Sequence, residues 1–310
     1  MKLVYLDNAA STKISSDVLE KMMESYSENY GNPSSTHKLG QKARAAIEKT
    51  RSMIAGYIGV ESKEIIFTSG GAEGNNLVIR GALNAYDYKG KHIITSKIEH
   101  STVLKTCQQL ENEGYEVTYI DVDENGVINL EQLKNSIRKD TVIVSIMYAN
   151  NETGVKQPIE EIGQILENTD IIFHTDAVQA MCKEKIFPKD LKIGAMTVTA
   201  HKFYGPKGTG FVYIDKKFQI EKEIWGGSQE RNRRAGTENL QGILGLGTAM
   251  EEAYENMERI EAMEEEIHEY LERRLKNEIE DVKINGEKSH RLKTITNLCL
   301  KGCDVQTLLI

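Results

Sequence analysis

Ile171-Ile172-Phe173-His174-Thr175-Asp176-Ala177-Val178-Gln179 opens on an unbroken apolar run and closes on an acid and an amide. A run without alternation leaves no polar face, so a strand here is expected to be covered on both sides. The same signature recurs along the chain. Runs at 64–68, 92–95, 116–120, 141–146, 171–174, 195–199 and 210–214 read as strands. Helical patterns at 38–57, 73–88, 101–113, 130–138 and 159–167 lie between them. This alternation predicts an α/β fold, a mostly parallel seven-stranded sheet with helices on both faces. Ligands of such sheets sit beyond the carboxyl ends of the strands, which is where chemistry is to be sought.

From 248 to 280 the pattern changes. Met250, Ala253, Met257, Ile260, Ile267, Leu271 and Leu275 recur at three- and four-residue steps among Glu, Lys and Arg. That is one long amphipathic helix. Its few heptads favour a helix packing on one face over a coiled coil. Residues 293–300 read as a strand of a second, smaller α+β unit. The expected division is a large domain at 14–250 and a smaller one built from 1–13 with 251–310.

Composition narrows the function classes. With 39 basic and 47 acidic residues the net charge is −8, which gives no general pull toward nucleic acid or anionic lipid. No apolar run approaches bilayer length, and the first residues, MKLVYLDNAAST, lack the apolar core of a signal peptide. Of the four cysteines, Cys107, Cys182, Cys299 and Cys303, only the last two are close, and no second pair completes a zinc site or disulfide framework. The expectation is a reduced cytoplasmic enzyme without a metal.

Three motifs carry chemistry. In Thr68-Ser69-Gly70-Gly71-Ala72-Glu73 a strand runs into glycines and a helix start, where backbone N–H groups can meet a phosphate. Alone, it reads equally as an ordinary turn. It is neither a P-loop nor a dinucleotide fingerprint. Asp176, just past an apolar run, can keep a pyridinium nitrogen protonated and the ring electron-poor; taken alone it reads more readily as a helix cap. Lys202, within Thr199-Ala200-His201-Lys202-Phe203-Tyr204-Gly205, also follows a strand end and can form a Schiff base with an aldehyde. A lone loop lysine is usually a surface residue. An acid and a lysine at two strand ends of one sheet strengthen each other.

With these motifs the sequence resembles the cysteine desulfurases, pyridoxal 5′-phosphate (PLP) enzymes of fold type I and the class V aminotransferase group. The resemblance runs from Tyr5 to the end of the chain. It is carried by Tyr5-Leu6-Asp7-Asn8-Ala9-Ala10-Ser11-Thr12, Gly31-Asn32-Pro33-Ser34-Ser35-Thr36-His37, the glycine turn at Gly70 and Glu99-His100. It continues through Asn150-Asn151-Glu152-Thr153-Gly154, Asp176 to Gln179, His201-Lys202 and Arg234-Ala235-Gly236-Thr237-Glu238-Asn239. Gly226-Gly227-Ser228-Gln229-Glu230 and the 31–37 stretch are similar to the branch supplying sulfur for iron–sulfur clusters and tRNA thiolation.

The resemblance implies roles residue by residue. Lys202 would hold the cofactor and move protons at the substrate Cα. His100 would stack on the ring as an acid/base, and Asp176 would pair with the pyridinium nitrogen. Gln179 and Asn151 would meet the phenolic oxygen and its surroundings. Gly71, Ala72, Thr199 and His201 would cradle the phosphate, with Thr237 reaching a neighbouring subunit's phosphate in a homodimer. Asn32 would lie near the substrate carboxylate. The implied partners are L-cysteine and a sulfur acceptor, either an iron–sulfur scaffold or a tRNA-thiolating enzyme, with no direct nucleic-acid or membrane contact.

Two departures from the family pattern follow. Ala72 stands where the family usually has threonine, so weaker cofactor binding is expected. The chain is also expected to stop, within an apparent helix at Thr307-Leu308-Leu309-Ile310, short of the family's persulfide cysteine and of an arginine for the substrate carboxylate. None of its four cysteines matches that motif: Cys299 is expected to be a buried core thiol, Cys107 and Cys182 packing residues, and Cys303 open to solvent in a turn. Truncation is the favoured reading; a naturally short PLP binder and a second polypeptide supplying the segment stay open. So do another class V enzyme, whether aminotransferase or selenocysteine lyase, and a non-catalytic PLP-binding dimer.

Overall fold

A computed structural model describes residues 4–304; the expected helical end at 307–310 lies outside them. Seven strands form the main sheet: β1 Ile65–Thr68, β2 His92–Ser96, β3 Glu116–Ile120, β4 Thr141–Ser145, β5 Ile172–Asp176, β6 Ala195–Thr199 and β7 Gly210–Ile214. Their order is β1-β7-β6-β5-β4-β2-β3. Pairing is parallel from β6 through β5, β4 and β2 to β3. β7 runs antiparallel to both β6 and β1. The loop from β6 to β7 is too short for a helical crossover, so the chain turns back on itself there. Two reversals cancel, and β1 ends on the same edge as the parallel set.

Around the sheet lie α1 Ser16–Glu28, α2 Lys38–Tyr57, α3 Gly71–Ala85, α4 Ser101–Asn112, α5 Leu130–Ser136, α6 Ile159–Leu166 and α7 Leu240–Glu278. α3 and α4 cover one face, packing Leu77, Ile79 and Val103 on Ile66, Ile93 and Val212. α1, α2, α5, α6 and the start of α7 cover the other, over Phe67, Val144 and Phe173. β7 shows why the strand runs are unbroken. Phe211 and Tyr213 join one cluster while Val212 and Ile214 join the other. Full burial of each such side chain contributes about 1.5–3 kcal/mol.

α7 begins at Leu240, ahead of the expected 248, because the Asn239 side chain accepts the Gly242 N–H at 3.2 Å and caps it. Its first turns bury Leu240, Ile243, Leu246 and Met250. Farther along, Ile267 and Leu271 are well exposed. Past α7, β8 Val282–Ile284 and β9 Leu298–Leu300 form a separate antiparallel pair. The strand expected over 293–300 is therefore realised only at its end. Just before that stretch, the backbone at 290–292 bonds to the 154–156 loop, with Lys156 N–H donating to His290 O at 2.8 Å and Leu292 N–H to Gly154 O at 2.9 Å. Cys299 corrects its sequence reading: it is exposed, on β9, one half of the two-stranded sheet.

Candidate functional site

Five strand ends meet at one edge. Past β1 come Ser69 to Glu73, past β2 His100, past β4 Met147, Ala149, Asn151 and Glu152, past β5 Val178 and Gln179, and from the end of β6 onward Thr199, His201 and Lys202. These surround a cavity of about 700 Å³. Its lining includes Gly71, Ala72, His100, Asn151, Asp176, Gln179, Thr199, His201 and Lys202, separated by up to 131 positions in sequence (Gly71 to Lys202). Asn32 and Thr237 are not among them. Asn32 is exposed, its Oδ1 accepting the Ser34 N–H at 2.9 Å. Thr237 is exposed on the loop ahead of α7.

The glycine turn is built for close approach. Gly70 has φ +141°, and a Cβ there would sit 3.2 Å from Thr199 Oγ1. A Cβ on Gly71 would sit 3.2 Å from Val178 Cγ2. No side chain caps α3, so its first N–H groups and the positive end of its dipole are free for an anion. His201 and Lys207 line the same region. Arg234 holds the neighbouring 234–239 loop to this end of the helix, pairing with Glu73 at 2.8 Å, while Glu73 also accepts the Ser69 N–H at 2.9 Å.

Asp176 is the last residue of β5 and is buried. Its carboxylate accepts Asn75 Nδ2 at 2.8 Å and the Val178 N–H at 3.0 Å. Burial raises its pKa against those bonds and against the charges of His100 and Lys202. Beneath it, His174 links β4, β5 and β6 through Ser145 Oγ at 2.8 Å and Thr197 Oγ1 at 3.0 Å. Burial pushes that imidazole down to about 3, so it is a neutral cross-link.

Lys202 ends the short turn after β6. Its amine donates to the carbonyls of Ala9 and, at 2.9 Å, Ala10. Burial lowers its pKa, opposed by Asp176, Asp7 and Glu152. The N-terminal segment that supplies those carbonyls is zipped along the lysine loop. Thr12 N–H donates to His201 O at 2.9 Å, and the Tyr204 N–H donates to Thr12 Oγ1 at 2.7 Å. Gln179 Nε2 also reaches Ala9 O, at 2.9 Å. His100 Nδ1 accepts the Thr102 N–H at 3.3 Å and caps α4. A neutral His100 therefore carries its proton on Nε2.

Sequence reasoning missed Asn75, whose position one turn into α3 from Gly71 was the available signal. It also missed the Ala9 and Ala10 carbonyls, since backbone groups leave no trace in residue type. None of the four cysteines lines the cavity. Cys107 and Cys182 are buried, and burial raises both thiols, Cys107 to about 12.

The family model for class-V aminotransferases matches residues 4–310. The cysteine desulfurase IscS of Dictyoglomus turgidum is 46% identical over 99% of this chain and 78% of its own length. The putative cysteine desulfurase IscS 1 of Bacillus subtilis is 43% identical over the whole chain and 82% of its own. Among solved structures, a NifS-like protein superposes with a TM-score of 0.95 at 37% identity, covering 99% of this chain and 84% of the other. SspA in complex with cysteine gives 0.86, also at 37% identity, covering 96% and 84%.

Proposed function

The chain belongs to the class-V aminotransferase family, and from that membership and the cavity's chemistry we propose that it takes the sulfur of L-cysteine, giving L-alanine and a persulfide, with PLP as cofactor. The observation that carries this reading is the convergence of the Asp176 carboxylate and the Lys202 amine on one cavity, from two strand ends, within electrostatic reach of each other.

The residues present fit the cofactor. The glycine cradle at the uncapped start of α3 suits its phosphate, with Thr199 and His201 alongside. A buried carboxylate held by Asn75 and the Val178 N–H, with cations near but none in direct contact among the described residues, suits a protonated ring nitrogen. A lysine with a lowered pKa suits its aldehyde. Bound there, PLP supplies a sink for the electrons released at the substrate Cα.

Each side chain then has a task. Asn75 fixes the Asp176 carboxylate toward the ring nitrogen. Lys202, eased toward the neutral amine by burial, takes and returns the Cα proton. His100, holding the Thr102 N–H through Nδ1, would offer its Nε2 proton to a leaving group. Gln179 and Asn151, which line the cavity, would face the phenolic oxygen and its surroundings. A thiolate attacks the substrate sulfur, the C–S bond breaks, and the carbon left behind gains a proton to become alanine. That thiolate must reach the cavity from beyond its lining residues. Asn32 is proposed to approach the substrate carboxylate, and Thr237, exposed on its loop, is proposed to reach the phosphate site of a second copy in a homodimer with shared sites. An iron–sulfur scaffold or tRNA-thiolating enzyme is the proposed acceptor.

The test is direct. Protein reconstituted with PLP should be yellow, and borohydride should fix the cofactor to Lys202. L-cysteine with a reductant should release sulfide when a thiolate able to reach the cavity is supplied. A Lys202→Ala protein that still binds PLP covalently would overturn the assignment.

A further inference from the structure

Behind the cavity lies a second hollow of about 800 Å³ against α7, and Lys183 lines it together with Lys202 and Ala9. Lys183 follows Gln179 by four residues, and its amine donates to Gln179 Oε1 at 3.2 Å. The other end of that amide, Nε2, donates to Ala9 O, the carbonyl that also receives the Lys202 amine. Burial pushes Lys183 down to about 8. The charged groups facing it act only through space, Glu264 favouring its charge and Lys202 opposing it, with the Cys182 thiol beside them. An amine held in such a place costs desolvation that a methionine of similar length would avoid.

The amide explains the cost. The two ends of a glutamine side chain are nearly isosteric, so packing alone does not decide which end enters the site. An ammonium can only donate. It therefore claims the amide oxygen and turns the NH₂ forward. We propose that Lys183 is a positioning residue that locks the Gln179 amide with its NH₂ toward the cofactor's phenolic oxygen. This rests on the reading of the cavity as a PLP site. Without Lys183 the amide can turn over and set its oxygen against the phenolate and against Ala9 O, which repel it.

The test uses the full chain loaded with PLP. Borohydride reduction first establishes whether the cofactor sits on Lys202. The visible absorption of the bound cofactor is then titrated with pH. A donor to the phenolic oxygen stabilises the deprotonated form, so Lys183→Met should move the midpoint upward by about one unit. Gln179→Leu should give the same shift, and Lys183→Met placed on Gln179→Leu should add nothing. Lys183→Arg, which like lysine can only donate, should titrate like the parent. If Lys183→Met does not fold, Lys183→Ala makes the same deletion. An unmoved midpoint in the deletion, or a full shift in Lys183→Arg, refutes the positioning role while leaving the PLP site standing. Failure of borohydride to fix the cofactor at Lys202 refutes both.

Discussion

Glu99 should make this protein lose stability as the pH rises through neutrality. Its carboxyl is buried between the ends of β2 and β4, with Oε1 accepting Ser96 Oγ at 2.6 Å and the Met147 N–H at 2.9 Å. Oε2 is buried without a partner, which leaves it as the oxygen that carries a proton. Burial first, and the Asp176 charge in a smaller part, raise the pKa from 4.5 to about 8. A raised acid contributes stability that is complete below its unfolded value and is lost as the pH climbs through its folded value. Between 4.5 and 8 the folded chain holds one proton that the unfolded chain has released. That tilts stability by about 1.4 kcal/mol per pH unit, about 4–5 kcal/mol across the window. Glu99→Gln keeps the accepting oxygen and needs no proton. Its unpartnered NH₂ costs about 1–3 kcal/mol, as the native O–H does, and that offset does not change with pH. Urea denaturation of the cofactor-free protein from pH 5 to 8 should therefore show a falling stability in the parent and a flatter curve in Glu99→Gln. Parallel curves for parent and Glu99→Gln would refute the reasoning.

Three further outcomes are expected. Asn75→Ala removes one of the two bonds to the buried Asp176 carboxylate; PLP affinity, measured by absorbance titration, should fall about 10- to 100-fold. Glu230 makes a buried two-point ion pair with Arg51, at 2.6 and 2.7 Å, and accepts the Phe67 N–H at 2.8 Å, while Glu230, Arg231 and Asn232 all have left-handed φ. Glu230→Ala leaves the buried Arg51 with only the half-exposed Glu48 at 3.2 Å and the Ile65 carbonyl at 3.0 Å, so the urea midpoint should drop by an amount worth about 3 kcal/mol. Thiol titration of the native chain should find Cys299 and Cys303 reacting promptly, with Cys107 and Cys182 reacting only after denaturation.

Much of the sheet was legible because its strands are buried on both faces. β3, β6 and β7 match the expected spans residue for residue, and the others differ at their ends. α2 was equally clear, with Ala43, Ile47 and Ile54 repeating at helical spacing. α1 was not, because Val18 and Ser25 are its only buried residues and its apolar side chains, Leu19 and Met23 among them, face outward. β8 was too short to register, and β9 was overextended because a strand pattern cannot show that the neighbouring backbone bonds to the 154–156 loop instead.

Residue identity alone singled out the candidate groups for chemistry: a lysine, an acid, a histidine and a pair of glycines, each at the end of a run that burial forces into a strand. It also determined the sheet, since a two-sided apolar run has few other stable environments. The tertiary structure decided what those groups meet. Asn75 turns to Asp176, Ala9 and Ala10 offer their carbonyls to Lys202, and Lys183 stands behind Gln179. Those partners are backbone atoms, ambidextrous amides and residues distant in sequence. Their roles come from where strand ends converge, a three-dimensional property that residue type and local periodicity do not encode.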